Sequence, residues 1–212
     1  VFLAAGNPDV REHIRAVVQE IAATYPVDGI HLDYIRCPLV DSGYDKASLA
    51  AFTAEHGVDP WKLRHGRKGL EARFGAEGLA ALEQTWRDWR AEQVTHLVRE
   101  IRNDLDTIGR PVVLSAAVFG NCKTAPRDVG QDWMVWCRSG LLDMVVPMFY
   151  SKDTDVVMNQ LTLAQRDLPL NVVLYAGIAV YNQPLRSAAE KAVIPTAAPI
   201  RSASSSRVRK LS

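Results

Sequence analysis

The chain has 212 residues, 48% of them apolar, and a formal net charge of +1 at pH 7. That length fits one domain with a sizeable core. The near-zero charge supplies no global field for nucleic acid or a membrane surface. The longest apolar run, Leu141 to Tyr150, is broken by Asp143 and falls far short of the ~20 residues a bilayer requires. The sequence opens on Val1-Phe2-Leu3 with no basic segment and no initiator Met. The expectation is therefore no signal peptide in this stretch and a true N-terminus further upstream. Cys37, Cys122 and Cys137 are odd in number and irregularly spaced, which fits three separate thiols better than a disulfide framework or a zinc pattern.

In chain order, Val1 to Ala5 reads as the end of a strand. Asn7-Pro8 then marks a helix start, with Asn7 as N-cap and Pro8 at the first helical position. Val10, Ile14, Val17, Val18 and Ile21 give that helix one apolar face, and Tyr25-Pro26 stops it. Val27 to Arg36 reads as a buried strand that ends in charge. Alternation places Ile30, Leu32 and Tyr34 on one side and His31 and Asp33 on the other. Cys37-Pro38 ends this strand.

Residues 39–80 are rich in Gly and read as a long irregular region with short helices at 46–55 and 68–73. Residues 80–107 give the clearest helix, with Val94, Leu97, Val98, Ile101 and Leu105 as its buried stripe. Gly109-Arg110-Pro111 ends it, and Pro111 to Phe119 is the next strand. A short helix at 130–139, a strand from Leu142 to Tyr150, a helix at 153–166 and a strand from Asn171 to Val180 follow. Residues 183–212 are rich in Ser, Ala, Arg and Pro and read as a disordered or foreign tail.

Strands that alternate with helices argue for parallel βαβ units. Near-continuous apolar strands argue that both faces are covered. No G-x-G-x-x-G follows a strand and no Walker loop is present, which disfavours a nucleotide-binding open sheet. The fold class expected is α/β, a TIM-type (β/α)8 barrel that is incomplete, with about five parallel strands. Residues 1–182 would form the partial barrel domain and 183–212 the tail. A complete barrel of this kind needs about 250 residues, so truncation at both ends is expected.

Several segments resemble the glycosyl-hydrolase-like family 10, found in bacterial cell-envelope glycosidases. Gly6-Asn7-Pro8-Asp9-Val10-Arg11 is similar to its "PGNPEVR" opening. Val27 to Arg36 resembles its "VDGIHLDYIRYP" signature. Trp86 through Val94 is similar to its "WRRxNV" helix start, and Ser115 to Gly120 to its "S.APFG" strand end. Val129 to Trp133 and Leu142 to Tyr150 resemble "GQDW" and "LDxVxPMxY". These anchors span residues 6–150, with weaker support to about Tyr181. Cys37 departs from the family's usual Tyr, and Gln93 from its usual Asn. The resemblance implies a TIM-type barrel of which this chain holds roughly the third to seventh strands. It also implies a secreted, periplasmic or cell-envelope location.

Asp33 is the leading catalytic candidate. Glycosidases use two carboxyl groups, and barrels put chemistry at the carboxyl ends of their strands. The resemblance points to the same residue. The competing reading is a structural Asp that binds loop amides or pairs with Arg36. His31 lies one pleat deeper and either positions Asp33 or contacts substrate, with a satisfied core His as the alternative. Arg36 would bind a sugar hydroxyl or hold Asp33 ionised. Asp132 is the candidate partner carboxylate, with Asp128, Asp153 and Asp155 on comparable loops.

Tyr34, Trp86, Trp89, Trp133, Phe149, Tyr150 and Tyr175 fall near expected strand ends or helix starts, where flat rings stack on sugars. Of these, Trp133, Tyr150 and Tyr175 are taken as substrate-binding, with Asn121 as a hydroxyl partner. Core packing is the alternative for each ring. His31-x-Asp33 has the spacing of a metal pair, but no second strand supplies His or Asp partners, so neither metal nor other cofactor is expected.

The activity expected is hydrolysis of a bacterial cell-wall or related polysaccharide, with no nucleic-acid partner. A non-catalytic carbohydrate-binding barrel and an inactive truncated fragment are the rivals. Open sheet edges invite pairing, so self-association through them is an expectation.

Overall fold

A computed structural model describes residues 4–37, 42–181 and 183–197 of the chain. The core is a parallel sheet of β1 (Gly29–Leu32), β2 (Val113–Phe119), β3 (Met144–Phe149) and β4 (Val173–Leu174), in that spatial order. A fifth short strand, β5 (Gly177–Ile178), also pairs with β3. β4 meets the start of β3 at Met144 and Val145, and β5 meets its end at Met148 and Phe149. The single strand expected over 171–180 is therefore two short pieces in one lane, interrupted at Tyr175-Ala176. The sheet is an α/β arc that stays open, as in an incomplete TIM-type barrel. The expected strand at Val1–Ala5 falls largely outside the described residues; Ala4 and Ala5 form a turn that receives Asn7 N on Ala4 O at 3.0 Å.

Helices cover one face of this sheet. Helix α1 (Pro8–Thr24) starts as its sequence dictates, with the Asn7 side chain accepting from Asp9 N at 3.0 Å. Its buried line is Val18 and Ala22 with half-buried Ile14, whereas Val17 and Ile21 are exposed. The apolar face is thus narrower than the five-residue face expected. Arg110 closes the far end: Nη1 donates to Val27 O at 2.6 Å and Nη2 to Ala22 O at 2.7 Å. A cation on the last carbonyls satisfies acceptors that the helix itself leaves open.

The segment after β1 is more regular than its glycines imply. It contains α2 (Lys46–His56), α3 (Trp61–His65) and the start of α4 (Arg67–Asp106), which runs well upstream of the residue 80 expected. Gly75, at φ 72°, breaks the helical path of α4; a side chain there would be strained. Phe52, Leu63, Leu70, Leu79, Trp86 and Trp89 form a second core among these helices. The expected stripe Val94, Leu97, Val98, Ile101 and Leu105 is fully buried against the sheet.

After β2 come α5 (Ala125–Val129), absent from the sequence reading, and α6 (Trp133–Arg138). Helix α7 (Thr154–Asp167) follows β3, with the Asp153 carboxylate capping its first turn. Helix α8 (Leu185–Ala197) occupies the first part of the segment read as a tail. Its Lys191 is fully buried and donates to Ser151 O at 3.1 Å and Lys152 O at 2.6 Å. The remainder, 198–212, lies outside the described residues.

Register decides which side chains share a face. His31 pairs with Ser115, Ser115 with Met144, and Met144 with Val173. That row, and Ala117 beside Val146 and Phe119 beside Met148 above it, forms the face turned away from the helices. Leu114, Ala116, Val118, Val145 and Phe149 point the other way, into the core. Along β3 the first face is half-buried and the second buried, residue by residue. No helix among the described residues is long and apolar enough to cross a membrane.

Candidate functional site

Because the strands are parallel, their carboxyl ends lie along one edge. β1 delivers Asp33, Tyr34 and Arg36 there, β2 delivers Phe119 and Asn121, and β3 delivers Tyr150. Tyr34 turns the chain with φ 55°, the one positive-φ position among the described residues that is not glycine. The Asp33 carboxylate supports this turn, accepting from Tyr34 N at 2.8 Å. Tyr34 therefore leaves the Ile30–Leu32 face expected of it and is 58% exposed. A side chain with β-carbon in the left-handed region is strained, and such strain gathers at functional sites.

Asp33 itself is exposed. His31 stands two residues before it on the open face, its Nδ1 at 2.9 Å from Ser115 Oγ. The Ser115 hydroxyl donates its one hydrogen to Ile30 O at 3.3 Å. The His31 ring is thereby held against β2 through the same hydroxyl that reaches Ile30 O.

Arg36 does not pair with Asp33. Its guanidinium lies 4.2 Å from the Tyr34 ring centroid and 5.3 Å from that of Phe119, a cation between two aromatic faces. Its Nη1 is buried without a hydrogen-bond partner. Tyr150 is 43% exposed and meets Tyr181 edge-on at 6.3 Å. Tyr175, 59% exposed, sits at the break between β4 and β5. Tyr34, Phe119, Tyr150, Tyr175 and Tyr181 thus put partly exposed rings along the carboxyl edge and open face.

Other expected site residues are placed differently. Trp133 is completely buried and its indole N–H donates to Phe119 O at 3.1 Å, so it supports the end of β2 and offers no ring to a ligand. Trp86, Trp89 and Phe149 are likewise core residues. The Asp132 carboxylate is the N-cap of α6, accepting from Val135 N at 3.4 Å. Asn121 closes a turn, with its side chain accepting from Lys123 N at 3.0 Å. Burial pushes the Asp128 carboxyl up, but hydrogen bonds from Arg127 and Thr124 outweigh it and hold the group below its ordinary value. Among the described residues no three His, Cys, Asp or Glu side chains gather to hold a metal.

The sequence reading missed Gln131. It is fully buried. Its Oε1 accepts from Phe119 N at 2.9 Å, and its Nε2 donates to Ile35 O and Ala117 O, both at 3.1 Å. One amide thus ties the end of β2 to the segment that carries Asp33. Gly120 is needed beside it: a β-carbon there would lie 2.9 Å from Met148 O and 2.8 Å from the Phe149 ring.

An open parallel sheet with helices on one face defines a barrel-type α/β protein, a class that carries its chemistry at the carboxyl ends of the strands. The chain belongs to the glycosyl hydrolase-like 10 family, whose model matches residues 1–193. That span takes in every strand and reaches into α8. No curated protein matches the chain.

Proposed function

We propose that this chain is the glycan-cleaving portion of a glycoside hydrolase, with Asp33 as a catalytic carboxylate. The observation that supports it most is an exposed Asp33 at the end of β1, flanked by the strained Tyr34 and the ring-stacked Arg36. His31, held beside Ser115 on the open face, would orient substrate or Asp33. Arg36, Tyr150 and Tyr175 would contact sugar. The substrate class is a bacterial cell-wall or related polysaccharide, and a secreted or envelope location belongs to the same reading. The family match supports a glycosidase-like activity.

The test is hydrolysis of purified glycan strands by the wild type and Asp33→Asn. Removing a positioned acid or base costs about 10²–10⁴-fold in rate, so a drop of that size with folding unchanged is the expected result. Equal rates would reject Asp33. Asp132→Asn examines the second carboxylate: Asn caps a helix about as well as Asp, so lost activity with unchanged stability would assign it a chemical role. A carbohydrate-binding protein without turnover is the second reading, favoured by the capping role of Asp132. Glycan binding that survives Asp33→Asn, with no hydrolysis by the wild type, would select it. The open edges at β1 and β4 also make self-association part of the proposal, and light scattering reads it directly.

A further inference from the structure

The helices between β1 and β2 hold a cavity of about 360 Å³, lined by Tyr44, Leu63, Arg64, Glu83, Trp86, Arg87 and Arg90. It lies apart from the Asp33 residues, which take no part in its wall. The volume falls within the range of small-molecule sites.

Three features of this wall are unlike ordinary packing. First, Trp86 is 2% exposed, yet its indole N–H is buried with no hydrogen-bond partner. Buried donors are nearly always satisfied, and one left open beside a cavity calls for an acceptor that enters it. Second, aromatic rings run from the cavity to the surface. Tyr44 contacts Trp86 at 5.5 Å and meets Trp61 edge-on at 5.9 Å. Trp61 is 42% exposed, on a helix of only five residues. A large ring at the surface near the cavity offers a flat apolar face. Third, guanidinium groups are held against those rings: Arg64 over Tyr44 at 5.8 Å and Arg90 over Trp86 at 5.5 Å. A guanidinium presents N–H groups of the kind that donate to hydroxyl oxygens, and Arg87 adds a third to the wall. Glu83, the carboxylate of the wall, is paired with Arg67.

Flat apolar faces beside many N–H donors match a sugar ring, whose C–H faces stack and whose hydroxyl oxygens accept. We infer that the cavity formed by Tyr44, Trp86 and the neighbouring arginines, with Trp61 at its side, is a saccharide-binding subsite remote from Asp33. The choice of saccharide as ligand rests on the glycan-cleaving reading; the existence of a site rests on the open indole donor and the cavity. In a barrel the segment after a strand lies over the carboxyl edge. A subsite there holds a chain already engaged below, so the substrate would be a polymer several sugars long.

The probes are chitohexaose and peptidoglycan glycan strands, titrated against tryptophan fluorescence. The variants are Trp61→Ala, which removes an exposed ring, and Trp86→Phe, which removes the N–H and keeps a buried ring. Each should weaken binding by about tenfold, the loss expected for one aromatic contact or hydrogen bond. Asp33→Asn should bind as the wild type does. For hydrolysis, the two variants should raise KM on long strands and leave kcat on the shortest cleaved oligomer unchanged. Wild-type affinity in both variants, or no binding of either probe by the wild type, would overturn the inference. Binding that depends on Trp61 in a protein that hydrolyses nothing would keep the subsite and remove the catalytic reading.

Discussion

Gln131 Nε2 lies 3.1 Å from Ile35 O, and through this bond a residue of the β2–α6 connection holds the strand end that presents Asp33. The same side chain satisfies Phe119 N and Ala117 O. Gln131→Leu keeps the volume and removes all three bonds. A buried polar group left unpaired costs about 1–3 kcal/mol, and three neighbouring groups lose their partner together. The expected loss is about 2–4 kcal/mol in urea denaturation. Because Ile35 follows the Tyr34 turn, glycan turnover should fall further than the folded fraction does. Unchanged stability would show that water replaces the amide.

The long-range plan of the fold was legible where side-chain period is strong. Val94, Leu97, Val98, Ile101 and Leu105 repeat at helical spacing and are all buried. Leu114, Ala116 and Val118 alternate with Ser115 and Ala117, as a strand requires. The position of Asp33 just past the carboxyl end of β1 was legible because a charge interrupts the apolar strand there. Legibility failed where local signals have two meanings. Gly57 and Gly66 read as loop residues, but they terminate α2 and α3, between short helices with a core of their own. An Ala-rich, polar stretch read as tail, but Lys191 anchors it to the loop after β3. Gln131 and Trp133 stand two and four residues past the end of α5, and sequence alone offers no measure of burial. A ring for sugar and a ring for the core are the same residue type, as are a surface amide and a buried one.

Cys137 reports on the packing behind β3. Burial pushes its thiol up to about 12, well above the ordinary range of a cysteine. The folded state therefore keeps the proton while the unfolded chain ionises. Between about pH 9 and about pH 12 the unfolded state binds fewer protons, so stability falls as pH rises, by up to about 1.4 kcal/mol per unit from this group. Below pH 9 the contribution is fully present. Cys137→Ala should flatten the alkaline arm of a stability-versus-pH curve measured by chemical denaturation. At pH 8 the thiol should resist iodoacetamide until the protein unfolds; prompt labelling in the native state would contradict its burial.

At the opposite edge of the sheet, Arg102 and Asp143 form a buried pair. Arg102 Nη1 lies 3.2 Å from Asp143 Oδ2 and also donates to Val112 O at 3.2 Å. Asp143 Oδ2 accepts from Leu114 N at 2.9 Å. α4 is thereby fixed to the starts of β2 and β3, on the amino-terminal side where barrels carry stability and not chemistry. Arg102→Met leaves a buried carboxylate without its cation and should cost about 3–5 kcal/mol. The double variant Arg102→Met/Asp143→Leu should recover part of that loss, because both charges are then gone. Glycan cleavage per folded molecule should be unchanged in either. Additive losses in the double variant would show that the two residues act independently.

Lys191 makes the structural case for α8 as part of the domain. Its ammonium is fully buried and is met by Ser151 O, Lys152 O and the Gln183 side chain. The three oxygens take the place of water around a charge that would otherwise be costly to bury. Two of them belong to the loop directly after Tyr150, so α8 fixes the backbone from which that ring extends. Lys191→Met fills similar volume, and leaves those carbonyls without a donor at about 1–3 kcal/mol. A chain ending at residue 184 should lose at least as much, with a lowered denaturation midpoint. If that truncation melts with the full chain, α8 adds nothing to the fold, and residues beyond 182 are a tail after all.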